Sequence, residues 1–391
     1  MSGDRKNASL GRPHRNPADQ DSDETSGRRL EKYRDCPAYG VSNEKTALAI
    51  TIANREKALL QDLDYENGYS LYVGIPFCPS ICLYCSFGSH PLERWTKRVD
   101  EYLDTLCKEL TFIREQMGTR KLTTVYIGGG TPTTLEPEQL RRLLSHIQET
   151  FDFTWVKEYT VEAGRPDSIT REKLQVMKEF PVTRISVNPQ TMNQKTLDVI
   201  GRKHTVEDTV NIFHMARELE FDNINMDLII GLPGEGKEEV AHTLQEVEKL
   251  HPDSLTIHSL ALKRATRLNL FKDKYEEMSF ENSKEIMEMT QQCAGNMGMG
   301  PYYLYRQKNI AGNFENVGYA EVDKAGIYNI LIMEEKQTIL AAGAGASTKF
   351  VFEHGTRIER VENVKDVNNY ILRIDEMLER KRVGIQKYLN G

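Results

Sequence analysis

Three cysteines lie close together in the chain, at Cys78, Cys82 and Cys85. Their spacing is C-x3-C-x2-C, and the next cysteine is Cys107. Three thiolates on one short loop can each bind one iron of a [4Fe–4S] cluster, although such clusters normally take four cysteines. The fourth iron is then open to a small molecule. By this arrangement a protein reduces S-adenosylmethionine (SAM) and releases a carbon radical, so the loop predicts a reaction class.

Zinc is the main alternative for this loop. Structural zinc sites close at four ligands, and His90, five residues beyond Cys85, is a candidate for the fourth. A disulfide framework fits an odd trio of cysteines poorly. The spacing favours the open cluster over zinc. The remaining cysteines show no pairing pattern and are interpreted as buried or incidental thiols: Cys36, Cys107 and Cys293.

Length and composition are those of a globular protein. The 391 residues predict one large domain or two ordinary ones, and the 39% hydrophobic share supplies a substantial core. No run of about 18 apolar residues occurs, so no membrane span is predicted. The net charge of −7 predicts no nucleic-acid partner, because nucleic-acid-binding domains usually carry a basic face. An oxygen-sensitive cluster needs a reducing compartment, so we expect a cytoplasmic protein.

The chain divides into four predicted segments. Residues 1–35 are dominated by charged and polar side chains, and we expect them to be disordered because they cannot bury enough apolar surface. Residues 36–68 form a helical lead-in with a loose apolar stripe. Residues 69–265 carry a regular alternation of strands and helices. Residues 266–391 break that rhythm and are interpreted as an appended C-terminal domain.

Six strand-like runs alternate with helix-like runs in the third segment. The predicted strands cover residues 70–75, 124–127, 159–163, 184–187, 225–230 and 254–260. The predicted helices cover residues 96–117, 137–149, 170–179, 205–219 and 237–250. Such alternation is typical of an α/β fold with a parallel sheet, and near-continuous apolar strands indicate burial on both faces. Six units are too few for an eight-stranded barrel, so we predict a partial (β/α)6 barrel.

Parallel α/β barrels place their sites at the C-terminal ends of the strands. The cysteine loop follows the first predicted strand, and a glycine run follows the second: Gly128, Gly129, Gly130, Thr131 and Pro132. Glycines let backbone groups approach a ligand closely. Alone, such a run is more often a turn. Opposite a cluster loop it is a candidate for binding the amino and carboxylate groups of methionine.

The later strand ends carry polar side chains. Glu162 could hold the amine or ribose of a ligand, or stand as a solvated rim residue. Arg202 is a natural bidentate partner for a carboxylate. Asp227 lies inside an apolar run, where a carboxylate is costly unless it is paired. We therefore favour a binding role for Asp227 over a helix cap.

These motifs resemble the radical SAM superfamily. The resemblance rests on the cysteine loop, the glycine run, Gln190, Arg202 and residues 227–233. Within the superfamily the chain is similar to the oxygen-independent coproporphyrinogen III oxidase-like family over about residues 40–390, and to its HemZ-type branch, which is related to HemN and to the HemW haem chaperone. Residues 64–70, 72–78 and 305–309 carry this similarity.

The resemblance implies a [4Fe–4S] cluster on the three cysteines and SAM beside it. The residues implied to contact SAM are Tyr72, Tyr84, Gly129, Gly130, Thr131, Glu162, Gln190, Arg202, Asp227 and Ala261. No side chain is assigned to catalysis, since the cluster and SAM generate the radical. The implied radical SAM oxidoreductase decarboxylates coproporphyrinogen III propionates to protoporphyrinogen IX without oxygen, in haem biosynthesis.

The implied partners are a tetrapyrrole substrate and an electron donor such as flavodoxin or ferredoxin. Arg306 and Lys308 are candidate donors to substrate carboxylates, with a surface charge pair as the alternative. A haem-binding chaperone of the same fold, and a radical SAM enzyme acting on another substrate, stay open as alternative functions.

Three positions depart from the family pattern. Phe87 replaces a fourth cysteine of the oxidases, and Gly74 replaces a histidine of their first strand. Both changes weaken the transfer of oxidase activity. Glu315 replaces the histidine of a His-Asn-x-x-Tyr pattern, which weakens haem chaperoning. Residues 1–35 stand where the branch carries a longer region, so we expect a truncated or fused reading frame.

Overall fold

The computed structural model describes residues 43–85, 90–261, 266–270, 278, 280–306 and 314–390. The segment predicted to be disordered lies outside these residues. The described strands are β1 Tyr69–Ile75, β2 Phe77–Cys78, β3 His90–Pro91, β4 Leu122–Gly129, β5 Glu158–Gly164, β6 Arg184–Val187, β7 Ile224–Ile230, β8 Ser254–Ser259, β9 Gly300–Tyr305, β10 Asn316–Ala320, β11 Thr338–Ala342, β12 Ser347–Phe352 and β13 Arg357–Glu362. Eleven of them form one sheet, in the order β13-β12-β11-β1-β4-β5-β6-β7-β8-β10-β9.

Helices connect and flank these strands. The described α-helices are α1 Asn43–Leu59, α2 Val99–Met117, α3 Pro137–Thr150, α4 Arg171–Lys178, α5 Gln194–Val199, α6 Val206–Glu218, α7 Lys237–Leu250, α8 Arg267–Leu270, α9 Lys284–Asn296, α10 Ile327–Met333, α11 Val367–Leu372 and α12 Ile374–Asn390. The last two helices, α11 and α12, are separated at Arg373. None of the helices in the described ranges is long and apolar enough to cross a membrane.

The predicted parallel sheet is confirmed. β1, β4, β5, β6, β7 and β8 correspond to the six predicted strands and pair in parallel in that order. Their side chains are almost all buried, as expected for a sheet covered on both faces. Because all six run the same way, the cysteine loop after β1 and the loops after the other five strands emerge at one edge of the sheet.

Strands from the C-terminal third extend this sheet on both sides. β11 pairs in parallel with β1, so a seventh parallel strand stands beside the strand that leads into the cysteines. On the other side, β10 pairs antiparallel with β8. The residues that break the strand–helix rhythm therefore supply neighbours to the first and the last of the six predicted strands.

A buried ion pair joins the C-terminal helix α12 to helix α2. Glu109 on α2 and Lys381 on α12 lie 3.1 Å apart, and both side chains are 0% exposed. The Glu109 carboxylate also accepts hydrogen bonds from Tyr370, Asn363 and the Gly343 N–H. A buried charge is tolerated only when it is paired and hydrogen-bonded. This network therefore fixes the loop that follows β11.

We expect Lys381→Met to reduce the free energy of unfolding by about 3–5 kcal/mol, because it leaves the Glu109 carboxylate buried without its cation. Lys108→Met is the matched control. Lys108 pairs with Asp375 at the surface, where ion pairs contribute about 0–1 kcal/mol. Urea unfolding of both variants measures the difference. Equal losses of unfolding free energy in the two variants would show that the buried pair contributes no more to stability than the surface pair.

Candidate functional site

A polar cavity of about 300 Å³ opens at the C-terminal edge of the parallel strands. Every residue predicted to bind the cluster or SAM lines it, except Tyr72: Cys78, Cys82, Tyr84, Cys85, Gly129, Gly130, Thr131, Glu162, Gln190, Arg202, Asp227 and Ala261. These residues come from six different strand ends. The tertiary structure thus brings these side chains together around one cavity, although they are spread over more than 180 positions of the sequence.

The cysteine loop is held from several sides. The Ser80 hydroxyl donates to the Gly201 carbonyl at 3.0 Å, and the Leu83 N–H donates to the Ile200 carbonyl at 3.0 Å. The Leu83 side chain packs in a small apolar cluster with residues from three other segments: Leu197, Ile200, Ile229, Leu232, Leu260 and Leu268. The loop is therefore anchored through its backbone and one leucine.

The glycine run packs directly against this loop. The N–H of Gly130 donates to the Ile75 carbonyl at 2.7 Å, and that of Thr131 donates to the Phe77 carbonyl at 2.8 Å. The Thr131 hydroxyl lies 3.6 Å from the Cys78 sulfur. A Cβ atom on Gly130 would lie 2.5 Å from the Phe77 oxygen. The run therefore shapes the cysteine loop, and those two N–H groups are already in use rather than available to a ligand.

Tyr72 lies on a neighbouring cavity of about 450 Å³, on the other side of Gly129 and Gly130. The Tyr72 ring stacks on Tyr126 at 6.2 Å between centroids, and Tyr328 stacks on Tyr126 from the other side at 4.4 Å. The glycine run thus forms a wall common to two cavities. We refer to them as the cluster cavity, which contains the cysteines, and the tyrosine cavity.

Two carboxylates of the cluster cavity have different electrostatic surroundings. Burial raises the pKa of Glu162 to about 7, and nearby Asp227 adds to this effect, while the Tyr126 hydroxyl, which donates to Glu162, offsets part of it. Burial also acts to raise the pKa of Asp227. The contacts with His258 and Asn225 outweigh it and hold that pKa below its usual value. Asp227 is therefore ionised at neutral pH, whereas Glu162 titrates there.

The guanidinium of Arg202 also lines the cluster cavity. It donates to the Asn188 carbonyl at 2.6 Å and to the Tyr84 hydroxyl at 3.0 Å. Burial opposes the charge of Arg202, but Tyr84 and the nearby Cys82 raise its pKa above the usual value, so it stays cationic. Gln190 stands next to it with a left-handed backbone, at φ 71°. Such strain in a residue other than glycine is uncommon and concentrates at ligand sites.

The sequence analysis missed several residues of the cluster cavity, among them Arg165, His258, Tyr305 and Asn316. Arg165 directly follows β5, so the strand-end rule that selected Glu162 could have found it. His258 faces Asp227, with 3.9 Å between Nε2 and Oδ2, and its Nδ1 lies 3.1 Å from the Tyr305 hydroxyl. Tyr305 and Asn316 come from β9 and β10, whose pairing beside β8 no local pattern indicated.

Other predicted positions lie apart from the thiols. His90, the candidate zinc ligand, contacts the Lys365 carbonyl at 3.3 Å and packs edge-on against Trp95. Glu315 pairs with Lys45 of α1 at 2.8 Å, while its neighbour Asn316 reaches the cluster cavity. Phe87 and Lys308 lie outside the described residues. Burial raises the pKa of Cys107 and of Cys293 to about 11, so both are neutral thiols at pH 7.

The donor set fits an iron–sulfur cube with a polar ligand beside it. Within the described ranges no three His, Cys, Asp or Glu side chains are close enough to hold a single metal ion. A cube differs in this respect, because it distributes its cysteines over separate irons. The cavity also contains buried polar atoms with no hydrogen-bond partner: Asn188 Oδ1, Gln190 Oε1 and Arg202 Nε. Such atoms are costly in isolation and indicate a polar ligand between the cysteines and Arg202.

Comparison with known proteins gives one consistent result. Residues 72–247 match the model of the radical SAM superfamily. The chain is 44% identical over 347 residues to the oxygen-independent coproporphyrinogen-III oxidase-like protein HemZ of Bacillus subtilis, across 88% of this chain and 69% of that protein. It is 37% identical over 198 residues to the heme chaperone HemW of Bacillus subtilis, across 50% of this chain and 52% of that one.

The solved structures give the same fold. Coproporphyrinogen III oxidase (HemN) from Escherichia coli, described as a radical SAM enzyme, superposes with a TM-score of 0.64 at 25% identity. The superposition covers 82% of this chain and 73% of that one. Proteins of the superfamily use a [4Fe–4S] cluster and SAM, the two groups to which the cluster cavity is suited.

We expect Gly130→Ala to lose most of its cluster, because the new methyl group would press on the Phe77 carbonyl and on the Cys78 sulfur. Gly295→Ala, on the open surface of α9, is the control, since nothing lies within 4 Å of its added Cβ. Iron analysis after anaerobic reconstitution should give about four irons per chain for the control and fewer than half of that for Gly130→Ala. A full complement of iron in Gly130→Ala would refute this packing constraint.

Proposed function

This chain belongs to the radical SAM superfamily and to its oxygen-independent coproporphyrinogen III oxidase-like family, and on that premise we propose that it oxidatively decarboxylates the propionates of coproporphyrinogen III. The observation that carries the proposal is the pair of adjoining cavities. All of the residues predicted to bind the cluster or SAM, except Tyr72, line one cavity. The other, of about 450 Å³, shares the wall of Gly129 and Gly130 with it.

Cys78, Cys82 and Cys85 would hold the cluster, with Arg202, Gln190, Asp227 and Glu162 around SAM. When bound, the cluster and SAM would supply hydrogen-abstracting radical chemistry with one electron from an external donor, and the propionate would become a vinyl group by losing that hydrogen atom, CO2 and one electron to an external acceptor. Arg202 and Asp227 carry opposite charges, and both line the cluster cavity. They suit the carboxylate and the hydroxyl or amine groups of SAM respectively.

The tyrosine cavity would receive the tetrapyrrole. Tyr72 and Tyr328 offer aromatic surface to a macrocycle, and Ile332 and Ile339 add apolar surface. The exposed Lys365 stands at its lining and would contact a propionate. Gly74 is also part of this lining, so the replacement of the family's histidine by glycine gives the substrate more room. This observation favours, as a second candidate, a related but different substrate for the same radical chemistry.

We expect anaerobic incubation with coproporphyrinogen III, SAM and a reductant to form 5′-deoxyadenosine and vinyl-bearing products. Cys82→Ala should abolish both products, because the cluster loses a ligand. Cys107→Ala, which changes a thiol on α2 remote from the cluster cavity, should leave both unchanged. The products are separated and quantified by chromatography and mass spectrometry.

The same samples distinguish the rival functions. Formation of 5′-deoxyadenosine that does not respond to coproporphyrinogen III would favour another substrate. Stoichiometric binding of haem without substrate-stimulated SAM cleavage would favour a haem chaperone, which the similarity to HemW makes the relevant rival. Glu315 opposes that outcome, since its carboxylate is paired with Lys45 and cannot ligate haem iron as a histidine would.

We further expect SAM affinity to decrease as the pH falls from 8 to 6. The pKa of Glu162 is raised to about 7, so its carboxylate, which would accept hydrogen bonds from SAM, is lost below that pH. Each pH unit below the pKa reduces the ionised fraction about tenfold. Isothermal titration of the reconstituted protein measures the dissociation constant at each pH.

Glu162→Gln should flatten this pH profile and weaken binding at pH 8. Glu149→Gln, an exposed change on α3, controls for the titration of SAM itself and should retain the wild-type slope. Identical slopes in all three proteins would exclude Glu162 as the titrating group.

A further inference from the structure

Arg165 is the one arginine of the cluster cavity that touches a cysteine sulfur among the described residues. Its Nη1 lies 3.5 Å from the Cys82 sulfur and donates to the Ser80 carbonyl and hydroxyl at 2.9 Å each. The residue is only 4% exposed. Its Nε and Nη2 are directed the other way, to the two carboxylate oxygens of Asp167 at 2.9 and 2.7 Å. Arg165 therefore stands between a cysteine thiol and a carboxylate.

We propose that Arg165 raises the reduction potential of the cluster and that Asp167 opposes this effect. The step concerned is the one-electron reduction [4Fe–4S]2+ + e− → [4Fe–4S]1+, with the electron supplied from outside the protein. It makes the cluster more negative. Hydrogen bonds to cluster sulfurs and nearby positive charge stabilise that product and raise the potential. The guanidinium supplies both at Cys82.

The position of Arg165 makes this effect strong. The guanidinium is buried away from solvent. Charges interact more strongly in a protein interior than in water. Asp167 opposes it, but the Asp167 carboxylate lies behind the guanidinium and hydrogen-bonds to it rather than to the sulfur. Removing the charge of Arg165 should therefore lower the reduction potential, and removing the charge of Asp167 should raise it. A residue that only anchored the loop at Ser80 would produce no such pair of shifts.

The inference rests on the cluster alone and does not require the tetrapyrrole reaction. The experiment is a redox titration of the reconstituted protein without SAM or substrate, followed through the electron paramagnetic resonance signal of the reduced cluster. Arg165→Gln should reduce the ratio of reduced to oxidised cluster about tenfold at a fixed poise, which corresponds to about 59 mV for one electron. Arg165→Lys keeps the charge and should shift less.

Asp167→Asn should shift the potential upward, because it removes the opposing charge while keeping Arg165. Arg171→Gln is the control: Arg171 pairs with Glu218 at the surface, and its loss should leave the potential unchanged. If Arg165→Gln assembles no cluster, the sign of the Asp167→Asn shift decides the matter. A potential in Asp167→Asn equal to or below that of the wild type would overturn the proposal, whatever the protein does with coproporphyrinogen III.

Discussion

The site depends on one constraint: the loop proposed to supply three cluster ligands must be held in shape by the protein around it. The backbone does most of this work. The Gly130 and Thr131 N–H groups bind carbonyls on the near side of Cys78, and Gly201 and Ile200 bind the loop beyond it. The loop that carries the three thiols is therefore fixed from both sides.

The second cavity depends on the C-terminal third of the chain. β11 lies beside β1, so the loop after β11 reaches the same edge of the sheet as the cysteine loop. That loop is fixed by the buried Glu109 carboxylate, which Lys381 neutralises from the C-terminal helix. Its residues Ala344 to Ser347 line the tyrosine cavity. The stability of the last helix and the shape of the second cavity are therefore coupled through one buried ion pair.

Charge in the cluster cavity is arranged in pairs with one exception. Arg165 is matched by Asp167, and Asp227 faces His258. The pKa of Arg202 is raised by Tyr84 and Cys82. Burial and the nearby Asp227 raise the pKa of Glu162 to about 7, although Glu162 accepts a hydrogen bond from Tyr126. A ligand with a positively charged group beside Glu162 would compensate the charge of its carboxylate. SAM carries two such groups, a sulfonium and an amine.

The sequence by itself determined the cofactor chemistry, the parallel sheet and most of the cluster cavity. Cysteine spacing and strand-end position are local properties, and a parallel sheet carries its strand ends to one edge. Only the tertiary structure decided which side of the glycine run each residue faces. Tyr72 was expected beside SAM and lies in the other cavity, while His258, Tyr305 and Asn316 meet through pairing of β8 with β10 and β9. Pairing between distant segments depends on the packing of the whole sheet, and no local pattern records it.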